Sequence, residues 1–337
     1  MLPRTLVVLV SVLVPVAGLS ACGEEAPLDQ PTPVSEMAPT STVAPPFDPE
    51  LEPAEAVLAM VPSSATTLTV TDFDEVRRQL GVPDLTSADP MADRSDFWDR
   101  AGKDAVLLTD GMLRADNSEL MLDYGFTQDD VDWEAHFTGP EGNGFVLGLR
   151  PDLPLAEVTR AVRDGVGPLA GARVLAEAHL VVSGTATDDE PVWANEPVWD
   201  PLFGEPAGAT YARRGCIPVD DALGASADAE RLAAVDAAHP VHVLDDLPAF
   251  AVGFGDHLAT VRVEANREDL FSRIDIGEDW PVEDFPEAFV DPVADPTTGR
   301  IGYHLARPSA AASLTMLEEL PFAICNELPP LEEPTGL

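Results

Sequence analysis

The residues able to do chemistry in this chain are few and mostly isolated. His239-Pro240-Val241-His242, followed by Asp245 and Asp246, gathers imidazoles and carboxylates of the kind that ligate zinc. The spacing works against them. Residues three apart on a strand face opposite sides, and Pro240 denies the helix that would align them, so a packing or surface role is expected. Lys103 is the only lysine, and Arg100 stands three residues before it, which removes the Ser-x-x-Lys arrangement of acyl-transfer enzymes. The same scarcity leaves no phosphate loop ending in Gly-Lys. Gly165-Val166-Gly167 reads as the end of a helix and not as a phosphate-binding turn. No Gly-x-Ser-x-Gly elbow occurs, and no stretch has the ligand spacing of a calcium-binding EF-hand loop. The expectation is a chain with no catalytic residue, no cofactor and no metal site that its sequence identifies.

The most distinctive local pattern is a repeated tetrapeptide. Glu190-Pro191-Val192-Trp193 recurs as Glu196-Pro197-Val198-Trp199. The spacing is even for a strand and equals two turns of polyproline II, so both indoles face the same way in either conformation. Trp193 and Trp199 could then form a platform for sugar rings or for a proline-rich protein ligand. The competing expectation is that both pack at a junction between lobes.

Composition narrows the partners. The 337 residues carry 19 basic and 60 acidic side chains, for a formal net charge of −41. Such a surface repels phosphate backbones and anionic headgroups, which excludes nucleic acid and a polybasic membrane contact. It suits a salt-adapted protein, because added salt screens the repulsion within a few ångström.

The N-terminus explains how so acidic a chain reaches a membrane. Arg4 provides a minimal basic region, Leu6 to Leu19 an apolar run interrupted by Pro15 and Gly18, and Leu19-Ser20-Ala21-Cys22 a run of small residues ending in cysteine. The run is too short to span a bilayer, which takes about 20 apolar residues. This pattern resembles the lipobox of bacterial lipoproteins. The resemblance implies that residues 1–21 are a signal peptide and that Cys22 is the lipidation site. It also implies that the mature protein sits on the outer face of the cell membrane, held by N-terminal lipid.

With Cys22 given to lipid, Cys216 and Cys325 remain as an even pair in a compartment that permits oxidation. A disulfide between them is expected, with two separate buried thiols as the alternative. Residues 22–50 form a lipid-anchored tether rich in proline, from Pro27 to Pro49, with almost nothing to bury.

From residue 51 the chain alternates strand and helix patterns. Thr66–Thr71 reads as a strand, and Asp72 as the N-cap of a helix over residues 73–80, closed by Gly81. Pro90 opens a second helix reaching toward Leu108. Val131, Trp133, Ala135 and Phe137 alternate with Asp132, Glu134 and His136 as a half-buried strand, joined as a hairpin to residues 145–149. A helix over residues 154–166 and a strand over 179–182 follow. The second half repeats this grammar, with two strands from Ala249 to Val263, a short helix from Arg267, a strand at 301–305 and a helix from Pro308 to Leu320. The fold class expected is α+β, with largely antiparallel sheets covered by helices, in two related lobes. The lobes span 51–189 and 207–329, joined by a Pro/Trp-rich connector over 190–206 and followed by a tail over 330–337. The Ala65–Gly81 and Tyr124–Trp133 stretches are similar to secreted actinobacterial proteins of unknown function.

The function expected from these readings is a lipid-anchored extracytoplasmic envelope protein. It would be a non-enzymatic binding or envelope-organising module with a glycan or protein ligand. The alternative is a tethered hydrolase of cell-wall or glycan material, whose paired carboxylates would meet only in the fold.

Overall fold

The structure, a computed structural model, describes residues 44–187 and 189–328. Cys22, the signal peptide, most of the tether and the 330–337 tail lie outside the described residues. Ten strands form one antiparallel sheet: β1 (Thr67–Asp72), β2 (Val131–Gly139), β3 (Gly142–Leu149), β4 (Arg173–Leu175), β5 (Leu180–Ser183), β6 (Ala209–Arg214), β7 (Ala249–Gly255), β8 (Leu258–Arg262), β9 (Phe289–Asp295) and β10 (Arg300–Leu305). Their order across the sheet is β4-β5-β3-β2-β1-β6-β7-β8-β10-β9. The helices are α1 (Pro53–Ala56), α2 (Phe73–Gln79), α3 (Met91–Asp104), α4 (Asn117–Glu119), α5 (Leu155–Asp164), α6 (Val219–Leu223), α7 (Ala229–Ala238), α8 (Leu270–Glu278), α9 (Asp284–Ala288) and α10 (Pro308–Met316). The α+β class and the antiparallel sheet with helical covers are as the patterning predicts. Among the described residues no helix is long and apolar enough to cross a membrane.

The two halves of the sheet repeat one connectivity. From the centre outward they read β1-β2-β3-β5-β4 and β6-β7-β8-β10-β9. Each consists of a strand, a helical excursion, a hairpin, a crossing helix (α5 or α8) and a last pair inserted in reverse order. The hairpin turns Gly139–Gly142 and Gly255–Leu258 hold equivalent places. β1 and β6 pair antiparallel at the centre, so the strands of the first half, from Thr67 to Ser183, and of the second, from Ala209 to Leu305, form a single sheet.

Local chemistry sets several boundaries. Asp72 accepts the Glu75 amide at 3.0 Å and caps α2, whose end is followed by Gly81 at φ +76°. The Pro90 helix stops at Asp104, short of the expected Leu108, and residues 105–108 leave it toward β1, where the Leu108 amide donates to the Thr71 hydroxyl. Sequence patterning passed over β4, β6 and β9. β9 contains Pro292, a residue tolerated here because the strand lies at the sheet edge.

One face of the sheet carries two helical covers. Phe97, Ala101, Val158 and Ala161 pack on Leu147, Leu149 and Val181 in the first half. In the second, Leu270, Phe285, Leu314 and Phe322 pack on Phe250, Val252, Val261 and Tyr303. The opposite face buries Leu68, Val70, Ala135, Phe137 and Ala251 beneath Val57, Val61 and the connector tryptophans. Cys216 and Cys325 form a disulfide, with Cα atoms 4.9 Å apart, that joins the end of β6 to the chain after α10. The Arg273 guanidinium holds the same junction by donating to the carbonyls of Phe322 and Ile324.

Candidate functional site

The strand β1 alternates threonine with aliphatic residues, and the two sets face opposite sides. Leu68 and Val70 enter the core, whereas Thr67 and Thr69 lie on the helix-bearing face, in the gap between its two covers. Cross-strand pairing extends this polarity into two rows. His136, Thr69 and Tyr211 stand side by side across β2, β1 and β6, and Thr138, Thr67 and Arg213 form the next row. Beneath the two covers this face is packed with apolar side chains, so the polar rows between them mark a floor that the fold leaves uncovered. The cleft above them encloses about 630 Å³, walled by Asp220, Asp221 and Gly224 on one side and Met316, Leu317 and Glu318 on the other.

His136 is oriented from below. Its Nε2 lies 2.6 Å from Oε1 of Glu134, which is fully buried. Glu134 also accepts from the Thr109 hydroxyl at 2.6 Å, the Met112 amide at 3.0 Å and the Gln128 side-chain amide at 3.2 Å. A carboxylate ringed by donors accepts a further hydrogen bond from the imidazole Nε2–H and so fixes the ring's orientation. The side chain of His136 is one-third exposed, at the cleft.

Glu318 closes the other side. It sits just past the end of α10 at φ +59°, and its two oxygens are both engaged, by the Tyr211 hydroxyl at 2.7 Å and by Arg213 Nε at 3.1 Å. Burial, together with the neighbouring Glu318 charge, pushes the Tyr211 phenol far above its ordinary range, so it remains a donor. Oδ1 of Asp220 is buried with no protein donor.

None of the cleft residues was singled out in the sequence as a site. Alternation placed Glu134 and His136 on the polar side of a half-buried strand, the side that ordinarily faces water. The loop over residues 109–128 brings Glu134 under cover instead.

No protein-family model matches this chain, and no curated protein or solved structure is similar to it. The site therefore rests on its own geometry.

The residues that patterning did favour fall elsewhere. Trp193 and Trp199 are both fully buried, with ring centroids 3.7 Å apart and planes 10° from parallel. They stack on each other, whereas the platform expectation had them presenting a common face to solvent. The connector is neither strand nor polyproline II here: 3₁₀ turns at Trp193–Asn195 and Asp200–Leu202 fold it onto the sheet. Arg214 lies beside both rings and holds Glu196 through two contacts of 2.7 and 3.0 Å. His239 meets Asp279 at 3.0 Å, and Asp246 accepts from Asn326 at 2.8 Å. Among the described residues no cluster of His, Cys, Asp and Glu could hold a metal ion.

Proposed function

We propose that this protein is a lipid-anchored extracytoplasmic binding module whose central cleft takes a donor-rich ligand, a glycan or amino-glycan. The Leu19–Cys22 sequence supports the anchor, and the Cys216–Cys325 disulfide supports an oxidising compartment. The observation that carries the binding reading is an open polar cleft, floored by His136, Thr69, Thr67 and Thr138 and walled by Asp220 and Asp221. Hydroxyl and amino groups match that set of acceptors, and a net negative protein draws cationic sugars toward it. Binding is favoured over hydrolysis because Glu318 has both oxygens occupied by Tyr211 and Arg213, so Asp220 and Asp221, adjacent on one wall, face no free carboxyl among the residues lining the other. A glycosidase needs one carboxyl free to give a proton and another free to attack or to activate water.

Calorimetric titration of the mature protein with glucosamine oligomers and their N-acetylated counterparts tests the ligand class. Asp220→Asn and His136→Ala should each weaken binding about tenfold, the worth of one hydrogen bond to a charged or oriented group. A parent protein that binds neither series refutes it. Mass spectrometry of the mature N-terminus tests the anchor, which requires a diacylated or triacylated Cys22.

A further inference from the structure

The two sheet repeats differ most between their first and second strands. Residues 73–130 separate β1 from β2, whereas the equivalent excursion between β6 and β7 is only residues 215–248. The extra chain in the first half, comprising α3, α4 and a π-helix over Leu120–Tyr124, builds a second cavity of about 510 Å³. The π-turn closes through the Gly125 amide onto the Leu120 carbonyl at 2.9 Å, with Gly125 at φ +77°. Widened turns of this kind are costly and concentrate at functional sites.

The lining of this cavity is amphiphilic. Trp98 forms its back wall, with its Nε1 donating to Asp129 at 2.8 Å, and Met91 and Leu122 form lips that are 75 % and 84 % exposed. Exposed side chains of that size gathered at one opening are uncommon on a soluble surface. The Arg114 guanidinium lies 4.3 Å from the Trp98 ring centroid, and its protein hydrogen bond goes to a backbone carbonyl, that of Asp110. Most other guanidiniums here face carboxylates, such as Arg77 with Asp132, Arg213 with Glu318 and Arg262 with Glu205. Arg114 makes no ion pair among the described residues. Two carboxylates line the cavity: Asp129 is already matched by Arg94 at 3.0 Å, by Trp98 and by the Thr127 hydroxyl, and Asp99 is exposed to solvent.

We infer that this cavity is a second binding site, independent of the central cleft, for a small amphiphilic anion: a carboxylate or sulfonate on an aromatic or aliphatic body. The body packs on Trp98, Met91 and Leu122, and the acid group meets the free edge of Arg114, whose face the indole holds in place. The overall negative charge does not forbid it. At physiological ionic strength the Debye length is about 8 Å, so the ligand responds to Arg114 and to the lining carboxylates, the matched Asp129 and the solvated Asp99, and not to the charge of the rest of the protein.

Anilinonaphthalene sulfonate carries both parts of this chemistry and reports binding by fluorescence, and phenylnaphthylamine is its uncharged analogue. Titrated into the full-length mature protein, the sulfonate should bind at one saturable site. Arg114→Gln should weaken it about tenfold while leaving phenylnaphthylamine binding unchanged, and Arg114→Lys should recover part of the loss. Leu122→Asp, on a side chain exposed enough to leave folding intact, should weaken both probes. Absence of saturable sulfonate binding, or equal sulfonate affinity in the parent and Arg114→Gln, overturns the inference.

Discussion

Nε2 of His136 lies 2.6 Å from Oε1 of Glu134, so an imidazole one-third exposed at the cleft is fixed by a carboxylate that water does not reach. The two residues should respond differently to removal. Glu134→Ala leaves the Thr109 hydroxyl, the Met112 amide and the Gln128 amide without their acceptor, at a cost of about 3 kcal/mol or more. His136→Ala strips a ring that is partly exposed and should cost less than about 1 kcal/mol while removing the imidazole from the cleft. Urea unfolding of both variants checks this, and equal losses would show that the imidazole is structural.

Stacking of Trp193 on Trp199 predicts a spectroscopic signature as well as a stability effect. Each single alanine variant should lose about 3–5 kcal/mol through lost contacts and a cavity. Each should also abolish the exciton signal that two parallel indoles give in circular dichroism, since one ring cannot couple alone. A variant that keeps the signal would place the coupling in another aromatic pair.

The disulfide closes a loop of 109 residues in sequence separation. In the chain-entropy description such a loop stabilises the fold by about 4–5 kcal/mol. Cys216→Ala combined with Cys325→Ala should lower the denaturation midpoint accordingly, and reductant should lower the parent to the same value. A midpoint indifferent to reductant would mean that the two thiols are not bonded in the isolated protein.

Burial lifts the carboxyl of Asp72 to about 7, with the charges of Asp74, Glu75 and Glu52 adding to the shift and the Glu75 amide opposing it. Asp132, also desolvated, is raised to about 6 although Arg77 lies beside it. A carboxyl whose folded value exceeds its unfolded one binds protons more tightly in the native state. Its stabilising contribution is therefore complete below about pH 4 and is lost as pH rises through 6 to 7. Asp72→Asn keeps the cap, because an amide oxygen also accepts the Glu75 amide. It should flatten the decline and stabilise the protein by about 1–3 kcal/mol at pH 8. Thermal midpoints between pH 4 and 8 decide the matter, and a slope unchanged in the variant would assign it to other groups.

Sequence alone was sufficient wherever neighbouring residues dictate the outcome. Alternation in Thr67–Asp72 and Val131–Phe137, the Asp72 cap and the turns near Gly139 and Gly255 follow from side-chain period and backbone freedom, which are local properties. They determined the α+β class and much of the strand content. The pairing of Cys216 with Cys325 was also within reach, because a count of cysteines needs no geometry.

Contacts between distant segments decided the rest. Whether a polar strand face meets water or a carboxylate network depends on what lies above it, and for Glu134 that is a loop some 6–25 residues upstream. The six-residue repeat of Trp193 and Trp199 could not say whether the indoles point outward or against each other, since 3₁₀ turns replaced the extended backbone that the repeat implied. The central cleft exists only because β6, a strand without a strong pattern, pairs with β1 and sets Tyr211 beside Thr69. Pairing between strands some 140 residues apart is a property of the closed sheet, fixed by the burial of both halves at once and not by any window of sequence.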